Sequence, residues 1–168
     1  MARFPIQRKI LQIGLVLMPS NSLSVGVRLL MAALSGWLLA LAYPTPGQWW
    51  CAPISVAIFS ALAWNQTKKL GAITGFVYGW VAFLVQHTWL TVVGVDATWI
   101  LSFYLAIWIG AVGIVISIIS RAIYRQTISW PIGLLAISSA WVLEEFLRGR
   151  YPFGGYPWAR LAFSQADS

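Results

Sequence analysis

Most of the residues in this sequence that could do chemistry gather near its C-terminal end. Glu144 and Glu145 stand three to four positions before Arg148, and Arg150 and Arg160 follow closely. On one helix, side chains three and four apart are neighbours, so either acid can reach the Arg148 guanidinium. Glu144 and Glu145 are adjacent, which turns them about 100° apart on a helix and suits them poorly to work as a general acid and base pair. Ionisable groups cost about 2.5–3.5 kcal/mol each at mid-membrane, so here they should be paired, interfacial or part of a site. Outside this stretch, Gln86, His87 and the single Cys51 are the remaining candidates. One cysteine excludes an internal disulfide, and with apolar neighbours it reads as a small core residue.

These residue types do not add up to a self-contained catalytic set. The sequence has no His-Glu-x-x-His, no Gly-x-Ser-x-Gly, no phosphate loop and no Cys/His metal spacing. No catalytic residue, cofactor or metal ligand is therefore assigned within the chain. Gln86 and His87 could line a polar cavity, but bonding between helices is the favoured reading, because a lone His without metal-spaced partners is weak support for a ligand.

The elements that must position these groups are membrane spans. Hydrophobic residues make up 60% of the chain and charged residues 9%, against about 25% charged in soluble domains. An excess of eleven basic over four acidic residues would suggest nucleic acid in a soluble protein, but no basic-aromatic motif supports that here. In a membrane chain the same excess sets topology or meets anionic lipid.

Residues 1–28 read as a basic cytoplasmic or interfacial leader, whose run Ile10 to Met18 is too short to cross a core of about 30 Å. Leu29 to Tyr43 and Cys51 to Trp64 predict a hairpin of two slightly short helices, lengthened if Val25 to Val27 join the first. Leu70 to Gly94 is the third predicted span, with Gly71, Gly75 and Gly79 on one face for close helix packing. Asp96 falls in the following turn, Trp99 to Ile119 is the fourth span, and Trp130 to Leu147 the fifth, with Pro131 tolerated in its first turn. The expected fold is an all-α integral membrane bundle of about five transmembrane helices over 29–147, followed by an aromatic, basic loop over 148–168.

Charge orients this bundle. With the N-terminus cytoplasmic, Arg3, Arg8, Lys9, Arg28, Lys68, Lys69, Arg121 and Arg125 all fall inside without an acid, leaving the C-terminus extracytoplasmic. Arg148, Arg150 and Arg160 then lie outside, where guanidinium forks could meet lipid phosphates and where Tyr156, Trp158 and Phe163 suit the headgroup layer. Gly149 should loosen the last helix, and Pro152 and Pro157 prevent its simple continuation.

Several of these residues also carry a family resemblance. Trp141, Glu145-Phe-Leu-Arg148, Gly155-Tyr-Pro-Trp158 and Ser164-Gln165 resemble the ordered signature of the apolipoprotein N-acyltransferases, with Tyr156 where the family usually has Phe. Leu39-Ala-Leu-Ala-Tyr-Pro44 and Gly75-Phe-Val-Tyr-Gly79 are similar to the family's first hairpin and third span, so the likeness runs from about Ser35 to the C-terminus.

The resemblance implies a multi-pass protein of the inner (cytoplasmic) membrane that moves an acyl chain from a membrane phospholipid to the N-terminal diacylglyceryl-cysteine of a lipoprotein precursor. It further implies that the Glu-Lys-Cys triad sits in a nitrilase-like domain downstream or separate, so these 168 residues are expected to be inactive alone. Trp141, Glu145, Arg148, Gly155, Tyr156, Pro157, Trp158 and Gln165 are then the structural or lipid-contact residues, with Gln86 and His87 behind them. The competing reading is a non-enzymatic assembly or binding subunit with Gly-rich docking faces. A small transporter is disfavoured because the spans show no internal repeat.

Overall fold

A computed structural model describes residues 23–44, 46–152 and 154–165 of the chain. Among the described residues five α-helices follow one another: α1 (Val25–Ala40), α2 (Cys51–Ala63), α3 (Lys68–Gln86), α4 (Val95–Tyr124) and α5 (Trp130–Arg148). Short 3-10 turns cover Thr88–Val92 and Leu161–Gln165, and there is no strand among the described residues. Residues 1–22 of the predicted leader, and 166–168 of the predicted loop, lie outside the described residues.

Three of these helices, α3, α4 and α5, are long and apolar enough to cross a membrane. At about 1.5 Å per residue, the 30 residues of α4 exceed a core of about 30 Å, whereas the 16 of α1 and 13 of α2 fall short of it. Val25 to Val27 do join α1, whose N-terminus is capped by the Ser24 hydroxyl accepting from Val27 N.

Two predicted boundaries move. The third span was expected to run to Gly94, but α3 stops at Gln86. His87 leaves helical geometry there, and Thr88 and Thr91 donate their hydroxyls to the backbone at Val85 O and Thr88 O. Such local bonds favour a tighter turn over continued helix. The fourth helix starts earlier than expected, at Val95, so Asp96 lies in its first turn rather than in a loop. A carboxylate there complements the partial positive charge of the helix start.

α3 is the centre of the bundle, packed along α4 on one side and α1 on the other. The glycine face permits this. A Cβ placed on Gly75 would lie 2.5 Å from Ile109 O, and one on Gly113 would run into the Gly71 carbonyl. The other face is stitched by hydroxyls: Ser35 donates to Ser55 O (2.9 Å), Ser55 donates back to Ser35 O (2.7 Å), and the Tyr78 hydroxyl meets Ser55 Oγ at 2.9 Å. Small residues and short hydroxyl bonds replace the hydrophobic drive that helices lack inside lipid. Arg28 is buried and donates to Leu62 O in the last turn of α2, where the helix end carries partial negative charge. Cys51 is free and buried, as the sequence predicts.

The last helix is the least enclosed. Its apolar span is about 22% buried, against 50% for that of α4, and Leu135, Val142 and Leu143 face outward. Its inner side holds Trp141, edge-on to Phe59 with ring centroids 5.9 Å apart, and below this the helix delivers its charged end to the loop that follows.

Candidate functional site

Arg148 organises that corner. It is the last residue of α5, Gly149 caps the helix, and the guanidinium is 2% exposed. Its Nε donates to Glu144 Oε1 at 2.6 Å, one helical turn back. Its Nη1 donates to the carbonyls of Tyr156 (3.3 Å) and Trp158 (2.9 Å), and Nη2 reaches Ala159 O at 3.5 Å. The guanidinium carbon also sits 5.5 Å from the Phe83 ring centre on α3. One planar fork thus gathers a carboxylate, three loop carbonyls and an aromatic face, which suits arginine and not lysine.

The two acids have separate work. Glu144, not Glu145, holds Arg148. Glu145 instead accepts from Leu161 N at 2.8 Å and so fixes the start of the final 3-10 turn. Spacing alone allowed either acid, and the return path of the loop decides between them. Sequence reasoning left Glu144 out of the site residues; its signal was the four-residue spacing to Arg148.

The loop is held at several further points. Tyr156 N donates to Arg148 O at 2.6 Å, and Tyr43, at the end of the first hairpin arm, donates its hydroxyl to Ala159 O at 3.1 Å. Gln165 Nε2 donates to Trp49 O at 3.2 Å, tying the chain end to the α1–α2 turn. Gly155 adopts φ +77°, and a Cβ there would run into Arg150 N and Gly149 C, so the close return past the helix end needs glycine. Arg150 lies 3.7 Å above the Phe146 ring and stays on the surface.

His87 joins the corner as well. Its Nε2 meets the Tyr156 hydroxyl at 2.6 Å and its Nδ1 meets Ser102 Oγ on α4 at 3.2 Å. Its ring stacks on Phe83 with planes 6° apart. Burial pushes this imidazole, one residue past the end of α3, down to about 4, and Arg148 adds to the same direction. The ring is therefore neutral at pH 7, and bonding between elements accounts for it. Gln86, its neighbour, makes no such bond among the described residues and faces the cleft beside Arg148.

The expected aromatic anchors divide. Trp158 and Phe163 are exposed at 66% and 45%, and Pro157 is exposed between Tyr156 and Trp158. Tyr156 is half-buried, with its hydroxyl turned inward to His87. No group of three or more His, Cys, Asp or Glu could hold a metal ion among the described residues.

The model of the apolipoprotein N-acyltransferase N-terminal domain matches residues 35–168. The chain belongs to that family. It is 28% identical over 159 residues to an apolipoprotein N-acyltransferase of Methylococcus capsulatus, covering 83% of this chain and 29% of the relative. It is 29% identical over 146 residues to one of Geobacter metallireducens, covering 81% and 27%. The chain thus spans less than a third of the length of the curated relatives it matches. The matched region contains every residue of the Arg148 corner.

Tyr156→Phe keeps the ring and removes the hydroxyl. It is expected to strand His87 Nε2 and to cost about 1–3 kcal/mol, read as a lower midpoint in thermal unfolding of the detergent-solubilised protein. An unchanged midpoint would show that the His87 bond holds nothing in place.

Proposed function

We propose that these residues form the membrane-embedded part of an apolipoprotein N-acyltransferase, which transfers an acyl chain from a membrane phospholipid to the N-terminal diacylglyceryl-cysteine of lipoproteins. The family match over residues 35–168 carries this reading. The bundle sits in the inner membrane with its N-terminus cytoplasmic. The Arg148 corner faces the extracytoplasmic leaflet and braces a reaction centre borne by a nitrilase-like domain not contained in these residues. Buried Arg148 bonds to three loop carbonyls, which supports a bracing role for it over direct phosphate binding. The exposed guanidinium of Arg150 and the exposed Trp158 ring remain available to headgroups.

Co-expression with a nitrilase-like catalytic portion from a relative should restore lipoprotein N-acylation in a strain lacking its own enzyme, where neither piece does so alone. Robust acylation by residues 1–168 alone would overturn the division of labour. Orientation has its own check. A Tyr151→Cys variant, at a position 62% exposed, should react with a membrane-impermeant thiol reagent added outside spheroplasts. Buried Cys51 leaves the background low, and labelling restricted to inverted vesicles would reverse the topology. Phe153, two residues beyond Tyr151, lies outside the described residues.

A further inference from the structure

The cleft beside Arg148 is walled largely by apolar side chains, Leu39, Phe83 and Ile109 among them. Three polar side chains line it with atoms that no described residue satisfies: Glu144 Oε2, both amide atoms of Gln86, and Trp141 Nε1. Glu144 is 5% exposed and its other oxygen is taken by Arg148. A buried carboxylate oxygen without a partner costs more than a stranded neutral group.

The neighbouring groups do not reach it. Arg148 Nε and Nη1 are spent on Glu144 Oε1 and the carbonyls of Tyr156 and Trp158, Nη2 reaches Ala159 O and makes no bond to Glu144 Oε2, the Tyr43 hydroxyl donates to Ala159 O, and Glu145 accepts from Leu161 N. The cleft admits a body the size of a water molecule and little more. Its free groups are two oxygen acceptors, one indole donor and one amide donor. A bare cation fits this set badly, with few oxygens to ligate it and Arg148 alongside.

We infer that this cleft is a binding site for one ordered water molecule, which donates to Glu144 Oε2 and to the Gln86 carbonyl oxygen and accepts from the Trp141 indole N–H. The water completes the coordination of the Glu144 carboxylate, so the carboxylate can stay aligned with Arg148 without a second protein donor. It also links α3 to α5 at the level of the loop.

Two measurements on the full protein decide this. A high-resolution experimental structure should place a water within hydrogen-bond distance of Glu144 Oε2, Gln86 and Trp141. A dry cleft, or Gln86 swung over to bond Glu144 directly, overturns the inference. In thermal unfolding, Gln86→Leu and Trp141→Phe should each lower the midpoint by about 2–4 °C. Together they should lower it by less than the sum, because both remove bonds to the same molecule. Additive losses, or a higher midpoint with Leu at position 86, count against a shared water.

Discussion

Arg148→Ala is expected to destabilise the protein by about 3–5 kcal/mol, because it removes the partner of a buried carboxylate and leaves that charge uncompensated. Glu144 is the stranded group, and the carbonyls of Tyr156 and Trp158 lose their donor at the same moment. The loop should then detach from the end of α5, so complementation by the reassembled enzyme should fail along with stability. Arg125→Ala is the matched control: that side chain is exposed, and surface changes away from special features stay within about 0.5 kcal/mol. Arg148→Lys should recover only part of the loss, since an ammonium cannot serve Glu144 and two carbonyls in one plane. The double variant Glu144→Leu, Arg148→Met removes both charges and should lose less than Arg148→Ala alone. Denaturant unfolding in detergent reads all four variants. Equal losses for Arg148→Ala and Arg125→Ala would remove any special standing from this corner.

The parts of this corner that the sequence revealed are those governed by local spacing. The turn from Glu144 to Arg148, the helix end at Gly149 and the reversal at Gly155 each follow from residues within a few positions of one another. Contacts that close over long separations were hidden. Nothing near His87 announces Tyr156, 69 positions later, and nothing near Tyr43 announces Ala159. The same limit explains the acids. Both stood within reach of Arg148, and only the position of Leu161, brought back by the loop, withdraws Glu145 from the pair. Hydropathy marked the helices but not the end of α3, because the apolar residues of Thr88–Val92 continue the pattern while the threonine hydroxyls end the α-helical geometry. Arg28 read as an inner-face charge of the kind that sets topology, yet it is buried against the end of α2.

Helix packing supplies the second large effect, and here alanine is the informative residue because in open helix it is better than glycine by about 1 kcal/mol. At Gly26 nothing lies within 4 Å of an added Cβ, so Gly26→Ala should be neutral or stabilising. At Gly75 the added carbon would stand 2.5 Å from Ile109 O and 3.1 Å from Ile109 C. Both are backbone atoms of α4, which cannot turn aside as a side chain end can. Relief requires α3 and α4 to separate, and overpacking of this kind costs about 1–3 kcal/mol. Gly113→Ala meets the Gly71 carbonyl from the other helix and should behave alike. The separation reaches the corner through α3 itself: Phe83 and His87 ride at its C-terminal end, and His87 bonds Ser102 on α4. Gly75→Ala should therefore lower both the unfolding midpoint and the protection of the loop from proteolysis, while Gly26→Ala leaves both unchanged or raised. If the two substitutions shift stability in the same direction by the same amount, the close crossing of α3 and α4 is not what holds the Arg148 corner in place.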